Sequence, residues 1–154
     1  MNSGEALFSD GSPKPVFPAR ESGDEQPSLT AGKRALIVED EIMVAWHLES
    51  VLEDLQMEIC GLVSNAPEAV AEATKDSVDI VFMDVNLAGP MDGIEAARRI
   101  RERRDVPIIF VTAYASDDAT VSRIVSALGP SVIVGKPATP DAIRRALLRI
   151  SEIL

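Results

Sequence analysis

The sequence is poor in cysteine, in basic charge and in long apolar runs. Cys60 is the one cysteine among 154 residues, so no disulfide can form within the chain. A formal net charge of -10 argues against nucleic-acid binding, because phosphate contacts need a basic surface. No apolar run approaches the roughly 20 residues of a membrane-spanning helix, and neither end has a signal-peptide pattern. We therefore predict a cytoplasmic protein without nucleic-acid or membrane contact, with Cys60 in or near its core.

Residues 1–32 differ in composition from the rest of the chain. They are rich in proline, glycine, serine and acidic residues, and their few apolar side chains cannot offset the entropy of ordering them. We predict a flexible tail over 1–32 and one folded domain over 33–154. Two interpretations of the tail stay open, a dispensable extension and an arm that docks on a partner.

The domain alternates between strand and helix patterns. Short apolar runs typical of buried strands are followed by segments with apolar residues three and four positions apart, as at Ala45, Leu48 and Leu52. Five strands alternating with five helices predict an α/β fold in which a doubly wound parallel sheet is covered on both faces. Nothing follows the fifth helix, so we expect no attached effector domain.

Polar side chains follow four of the predicted strands. The first strand ends at Glu39 and Asp40, and the third ends at Asp84; the fourth and fifth lead to Thr112 and Lys136. Ligands of open α/β sheets bind outside the carboxyl ends of the strands. Neighbouring carboxylates repel one another unless a cation joins them, and Mg²⁺ prefers oxygen ligands. The pattern predicts a Mg²⁺ site in which Asp84 is a nucleophile that forms an aspartyl phosphate, with Thr112 and Lys136 holding the phosphoryl oxygens.

Four motifs at these strand ends give the domain a family resemblance. They are Leu-Ile-Val-Glu-Asp-Glu at 36–41, Met-Asp-Val-Asn at 83–86, Phe-Val-Thr-Ala at 110–113 and Gly-Lys-Pro at 135–137. With them, the chain resembles the receiver domains of bacterial two-component signalling, of the single-domain response regulator type. The resemblance implies a flavodoxin-like sheet with strand order 2-1-3-4-5.

The resemblance also implies a function. Asp84 is expected to accept a phosphoryl group from the phosphohistidine of a sensor histidine kinase, and the protein to be a phosphoacceptor rather than an enzyme. The resemblance further implies that Mg²⁺ is held by Asp40, Asp84 and the backbone carbonyl of Asn86, with Glu39 assisting through water. A cis peptide bond before Pro137 aims the preceding lysine into the site. Further partners are a downstream protein or a histidine phosphotransferase, and a homodimer stays open.

Two departures from the family pattern concern the loop after Asp84 and the switch. Receivers often place a proline about four residues after the phosphoacceptor, whereas here Pro90 follows by six. Ile133 occupies the position of the usual switch aromatic. One interpretation is that Tyr114 replaces that aromatic and works with Thr112; the other is that Tyr114 only packs at the surface near the fourth helix.

Three other functions compete with this interpretation. A haloacid-dehalogenase-type phosphatase needs a second aspartate two residues after the first, and this chain has Asn86 there. A flavodoxin-type carrier needs phosphate donors in its first loop, where the acidic run 39–41 would repel phosphate. A pseudo-receiver that only binds partners stays open.

Overall fold

The computed structural model describes residues 30–153, and strands and helices alternate along this range as the sequence predicts. In chain order they are β1 (Arg34–Val38), α1 (Ile42–Asp54), β2 (Glu58–Val63), α2 (Ala66–Ala73), β3 (Ile80–Met83), α3 (Gly93–Arg103), β4 (Ile108–Thr112), α4 (Asp118–Leu128), β5 (Val132–Gly135) and α5 (Pro140–Ile153). The strands form one parallel sheet in the order β2-β1-β3-β4-β5. The predicted doubly wound, flavodoxin-like fold is thus confirmed.

β1 and β3 lie side by side in the sheet, and their register decides what meets at its carboxyl edge. Val38 and Met83, the last residues of the two strands, pair with each other. The residues that follow, Glu39 and Asp84, therefore leave the sheet next to each other. β4 and β5 continue the sheet on the far side of β3, so four strand ends lie in a row.

Two apolar cores, one on each face of the sheet, hold the layers together. Alternate residues of a strand point to opposite faces, so Ile37 enters the core with α1 and α5, whereas Leu36 enters the core with α2, α3 and α4. Phe82 and Phe110 are wholly buried, one in each core. Truncating either to alanine would cost roughly 3–5 kcal/mol of unfolding free energy. Burial on both faces explains why β1, β3 and β4 are nearly unbroken apolar runs.

Side-chain caps begin the helices α2, α3, α4 and α5. Asn65 accepts a hydrogen bond from a backbone N–H of the first turn of α2 (2.9 Å), and Asp92, Asp117 and Thr139 do the same for α3, α4 and α5. α4 ends before Gly129, whose φ of 80° is strained for residues with a side chain. None of the helices in residues 30–153 is long and apolar enough to cross a membrane.

The expectation for Cys60 is wrong, because this residue lies at a bulge in the edge strand β2. The pairing of the two strands moves from Ala35 with Ile59 to Leu36 with Gly61, which leaves Cys60 as the extra residue. Its side chain is exposed, and its Sγ–H donates to the Ala35 carbonyl oxygen at 3.3 Å. An apolar run on an edge strand has one side open to solvent, which the run itself does not reveal.

Most of the predicted tail, residues 1–29, lies outside the described residues. Residues 30–32 are part of the folded domain. Thr30 is buried and its hydroxyl donates to the Leu55 carbonyl oxygen, and Gly32 N–H donates to Gln56 O at 3.0 Å. The folded domain therefore begins before the boundary that composition suggests.

Candidate active site

The carboxyl edge of the sheet brings together the acidic residues that the sequence predicts there. Glu39, Asp40 and Asp84 each offer a carboxylate oxygen, and these oxygens lie within 4.8 Å of one another. The pairing of β1 with β3 positions them, and Asp84 N–H extends this pairing by donating to Val38 O at 3.0 Å. Glu39 and Asp84 are buried, whereas Asp40 is exposed at the mouth of the cluster.

Burial changes the chemistry of Asp84. The residue is 5% exposed, and its burial together with the negative charge of Glu39 raises the pKa of its carboxyl to about 6. Asn86 N–H donates to Asp84 Oδ1 at 3.3 Å and orients the carboxylate. Asp84 is therefore charged at neutral pH, but in surroundings that disfavour the charge until a cation offsets it.

Lys136 brings a positive charge to the cluster from the end of β5. Its Nζ lies 2.7 Å from Glu39 Oε1 and 3.3 Å from Asp84 Oδ1. Burial disfavours the ammonium form, but the hydrogen bond to Glu39 and the charge of Asp84 outweigh burial and raise the pKa of Lys136. Its backbone N–H donates to Thr112 O at 3.0 Å, and the peptide bond to Pro137 is cis, as the resemblance implies.

Thr112 and Tyr114 are joined by a hydrogen bond at the end of β4. The Thr112 side chain is wholly buried, and its Oγ1 accepts from Tyr114 N–H at 3.1 Å. Tyr114 lies in the turn before α4 with 52% of its surface exposed. Ile133 pairs with Phe110 in the sheet and is partly buried. The contact gives Thr112 a direct connection to the turn, and the switching role of Tyr114 stays a prediction.

The donor set of the cluster suits a hard divalent cation. Three carboxylates lie around one point, and Lys136 is the cation that contacts two of them, so negative charge remains in excess. Carboxylate oxygens are the ligands that Mg²⁺ prefers. Glu39, Asp40 and Asp84 therefore fit the predicted Mg²⁺ site, whereas the Asn86 carbonyl as a further ligand stays a prediction.

Two contributors to the site were not identified from the sequence. Gly93 begins α3 against the backbone of the β3–α3 loop, where a larger residue has no room, and its N–H donates to Val85 O at 2.9 Å. Ala88 N–H donates to Asp40 Oδ2 at 3.1 Å. The sequence did hold a signal for Gly93. Glycine directly after the capping residue Asp92 indicates that the start of the helix packs closely against another backbone segment. The contact of Ala88 with Asp40 depends on the path of the loop, and no sequence pattern predicts it.

An apolar surface borders the site on the side of α1. Met43 and Trp46 are 70% and 53% exposed, and they share a face because they lie three residues apart on the helix. Beside them is a groove of about 330 Å³ that α1 and the segment after β5 line, with Lys136 among its lining residues. His47 Nε2–H donates to Ala138 O at 3.0 Å and joins the two walls. Exposed large apolar residues grouped in this way are typical of protein-binding surfaces.

Known proteins share this combination of fold and sequence. A family model described as response regulator receiver domain matches residues 35–148. The transcriptional regulatory protein PdtaR of Mycobacterium tuberculosis is 35% identical over 124 residues, which cover 79% of this chain and 60% of PdtaR. A protein-glutamate methylesterase/protein-glutamine glutaminase of Hahella chejuensis is 32% identical over 128 residues, which cover 77% of this chain and 36% of that protein. The matched segments thus span between 36% and 60% of these relatives.

A solved structure matches the domain over most of its length. It is the receiver domain of the sensor histidine kinase PA1611 from Pseudomonas aeruginosa, with a magnesium ion coordinated in its active-site cleft. The two share 31% identity and superpose with a TM-score of 0.68 over 79% of this chain and 99% of that one. The likeness agrees with the sheet order and the five helices described above.

Proposed function

The chain belongs to the response regulator receiver family, and from this premise we propose that Asp84 accepts a phosphoryl group from the phosphohistidine of a sensor histidine kinase. The observation that carries the proposal is the surroundings of Asp84, a buried carboxylate in contact with Lys136 and beside two further carboxylates. The protein is then a phosphoacceptor and not an enzyme with a separate substrate. The likeness to the methylesterase covers 36% of that protein and does not carry esterase activity to this chain.

Asp84 is the nucleophile of the proposed transfer. A carboxylate oxygen forms an O–P bond while the P–N bond of the donor breaks, and the electron pair of the P–N bond returns to the donor imidazole. Since the pKa of Asp84 is raised only to about 6, the carboxylate is ionised and able to attack at neutral pH. Asn86 N–H keeps the carboxylate oriented in the cluster.

Lys136 and Thr112 hold the transferred oxygens. Lys136 Nζ already contacts Asp84 Oδ1 at 3.3 Å, so a small movement brings it to a phosphoryl oxygen on that carboxylate. The buried Thr112 hydroxyl at the end of β4 is the second donor. The Asp40 and Asp84 carboxylates and the Asn86 carbonyl, with Glu39 acting through water, would hold Mg²⁺, which would supply positive charge to offset the charge on these oxygens. The magnesium ion in the PA1611 receiver supports this assignment.

The kinase docks on the apolar surface formed by Met43 and Trp46 of α1. This helix begins at Ile42, directly after the acidic run, so a helix of the partner that covers it brings a phosphohistidine close to Asp84. The groove beside it includes Lys136 and Pro137, which places docking and chemistry on one continuous surface. Buried aromatic side chains are the residues that most often dominate binding energy at such interfaces.

The phosphorylated domain acts on other proteins in the cytoplasm. It docks on a downstream protein, or passes the phosphoryl group to a histidine phosphotransferase and serves as a shuttle or sink. The net charge of -10 favours protein partners over nucleic acid. The match to PdtaR, a transcriptional regulatory protein, covers 60% of PdtaR, so we do not assign its regulatory activity to this chain.

Radiolabel transfer from a panel of autophosphorylated histidine kinases, and from acetyl phosphate, tests the proposal. Wild-type protein should take up label, and Asp84→Asn should take up none because the attacking carboxylate oxygen is gone. Asp105→Asn, which changes an exposed carboxylate in the loop before β4, is the matched control and should be labelled normally. Label on Asp84→Asn contradicts the assignment. Failure of every donor to label wild-type protein favours the pseudo-receiver, a module that binds partners without phosphorylation.

A further inference from the structure

The loop between β3 and α3 reaches back to the acidic cluster. Ala88 N–H donates a hydrogen bond to Asp40 Oδ2 at 3.1 Å, although the two residues are 48 positions apart in the sequence. Ala88 is exposed, so the contribution to this contact comes from its backbone and not from its methyl group. The loop is also where this chain departs from the usual spacing, with Pro90 six residues after Asp84.

Asp40 needs such a contact more than its neighbours do. It is the exposed carboxylate of the cluster, and the charges of Glu39 and Asp84 favour its movement toward solvent. Lys136 contacts Glu39 and Asp84, so the donor that meets Asp40 is the Ala88 amide. A hydrogen bond to a charged carboxylate is stronger than one between neutral groups, so the Ala88 amide favours the position of Asp40 in the cluster.

The loop residues on either side hold the amide in place. Leu87 is 7% exposed and packs in the core with α2 and α3, which anchors the loop directly before Ala88. Gly89 directly after it has a φ of 103°, a conformation that a residue with a side chain rarely adopts. The extra length of the loop thus ends in a turn whose geometry points Ala88 N–H at Asp40.

We propose that the Ala88 amide is a positioning group for Mg²⁺ binding: it keeps the Asp40 carboxylate in the cluster. This inference rests on the proposed function, since it concerns the same metal site. Mg²⁺ requires near-octahedral geometry, so a ligand that is held in advance binds it more tightly than one that must be ordered first. Hydrogen-bond partners of metal ligands typically contribute about 10–100-fold to metal affinity.

Calorimetric titration of the metal-free protein with MgCl₂ tests the proposal. Ala88→Pro removes the N–H and should weaken Mg²⁺ affinity about tenfold, whereas Ala88→Ser keeps the N–H and should bind like wild type. Gly89→Ala is a second variant: its Cβ meets nothing within 4 Å, but the φ of 103° should move the backbone and weaken affinity by a smaller factor. Far-UV circular dichroism and melting temperatures establish whether each variant is folded. If Ala88→Pro does not fold, the Mg²⁺ affinity of Gly89→Ala tests the proposal.

The Mg²⁺ dependence of labelling by acetyl phosphate separates positioning from general damage. In Ala88→Pro the Mg²⁺ concentration for half-maximal rate should rise in the same proportion as the dissociation constant, and the rate at saturating Mg²⁺ should not change. The proposal is overturned if wild type, Ala88→Pro and Gly89→Ala bind Mg²⁺ with equal affinity. It is also overturned if Ala88→Ser loses as much Mg²⁺ affinity as Ala88→Pro. If wild-type protein binds no Mg²⁺, the metal site of the proposed function fails instead.

Discussion

Gly93 approaches Asp84 so closely that a Cβ on Gly93 would stand 1.9 Å from the Asp84 carbonyl oxygen. The approach arises because α3 begins at Gly93 and its N–H donates to Val85 O at 2.9 Å. The first turn of α3 therefore packs directly against the backbone that carries the Asp84 carboxylate. Both β3 and α3 fix the position of Asp84, so a substitution at the start of α3 should also displace the Asp84 carboxylate.

We expect Gly93→Ala to damage both stability and phosphorylation. The added methyl meets backbone atoms, which cannot rotate away, so α3 or the Asp84 backbone must shift at a cost of roughly 1–3 kcal/mol of unfolding free energy. Urea denaturation measures the first effect and the acetyl phosphate labelling rate the second. Gly135→Ala is the control, because its Cβ would lie 3.6 Å from the nearest heavy atom, an ordinary contact. If Gly93→Ala matches wild type in both measurements, the packing described here is not rigid.

Asp84→Asn should stabilise the metal-free protein in a pH-dependent way. The folded-state pKa of Asp84 is about 6 against an ordinary 3.8, so the folded state binds the proton more tightly, and wild type loses stability as pH rises from about 4 to about 6. Asparagine has no charge to bury. The stability gain of Asp84→Asn should be near zero at pH 4 and on the order of 2 kcal/mol at pH 7.5.

Urea denaturation in the presence of a chelator at pH 4 and pH 7.5 measures this difference. Saturating Mg²⁺ at pH 7.5 should stabilise wild type and narrow the gap, because a ligand that binds the folded state shifts unfolding. Asp105→Asn serves as the control for removal of a carboxylate and should show no comparable gain. A gain that is equal at both pH values would mean that charge repulsion at Asp84 is not its cause.

Trp46→Ala and Met43→Ala should separate docking from chemistry. Either change removes exposed apolar area from the proposed docking surface, so the KM for phosphorylated kinase should rise roughly tenfold, the effect of losing more than 1 kcal/mol at an interface. Labelling by acetyl phosphate, which needs no docking surface, should be unchanged. Val125→Ala on α4, where the side chain is 47% exposed, is the matched control and should leave both reactions intact. Equal loss with both donors would indicate a structural effect on the site.

The sequence predicts the parts of this molecule that periodicity and strand order determine. Strands buried on both faces are apolar runs that end in polar residues, and the sheet order then brings Glu39 next to Asp84 without any further information. The same reasoning places Lys136 in the cluster. Strand order therefore predicts which side chains lie near one another, but not which atoms are in contact.

Features that depend on the path of a loop or on the edge of the sheet could not be predicted. The contact of Ala88 with Asp40 is made by a backbone amide, which every residue except proline carries, so the sequence holds no signal for it. Cys60 stands in an apolar run, and its exposure follows from a bulge in an edge strand. The exposure of Trp46, by contrast, could be read from the sequence, because its angular position on α1 falls outside the predicted inward stripe.

From the hydrogen bond between Thr112 Oγ1 and Tyr114 N–H we predict how phosphorylation of Asp84 changes the surface of the domain. A phosphoryl group adds about -1.5 to -2 charges and new acceptor oxygens beside the Thr112 hydroxyl. Rotation of Thr112 toward these oxygens should withdraw Oγ1 from Tyr114 N–H and release the turn before α4. Because Ile133 lacks the size and polarity of a switch aromatic, Tyr114 should relocate instead and remodel the surface of α4, β5 and α5.

Amide-resolved NMR with and without beryllofluoride, a phosphoryl mimic, tests this coupling. In wild type the mimic should shift resonances around Asp84 and also across 113–135. In Thr112→Ala and Tyr114→Ala slow phosphorylation at Asp84 should continue, but the shifts across 113–135 should be lost, because the connection between site and turn is broken. Thr120→Ala, in the first turn of α4, is the control and should keep the wild-type response. Wild-type shifts confined to the loops around Asp84 would defeat the hypothesis, and the loop 86–90 would then be the better candidate for the readout, since its Ala88 amide already contacts the acidic cluster through Asp40.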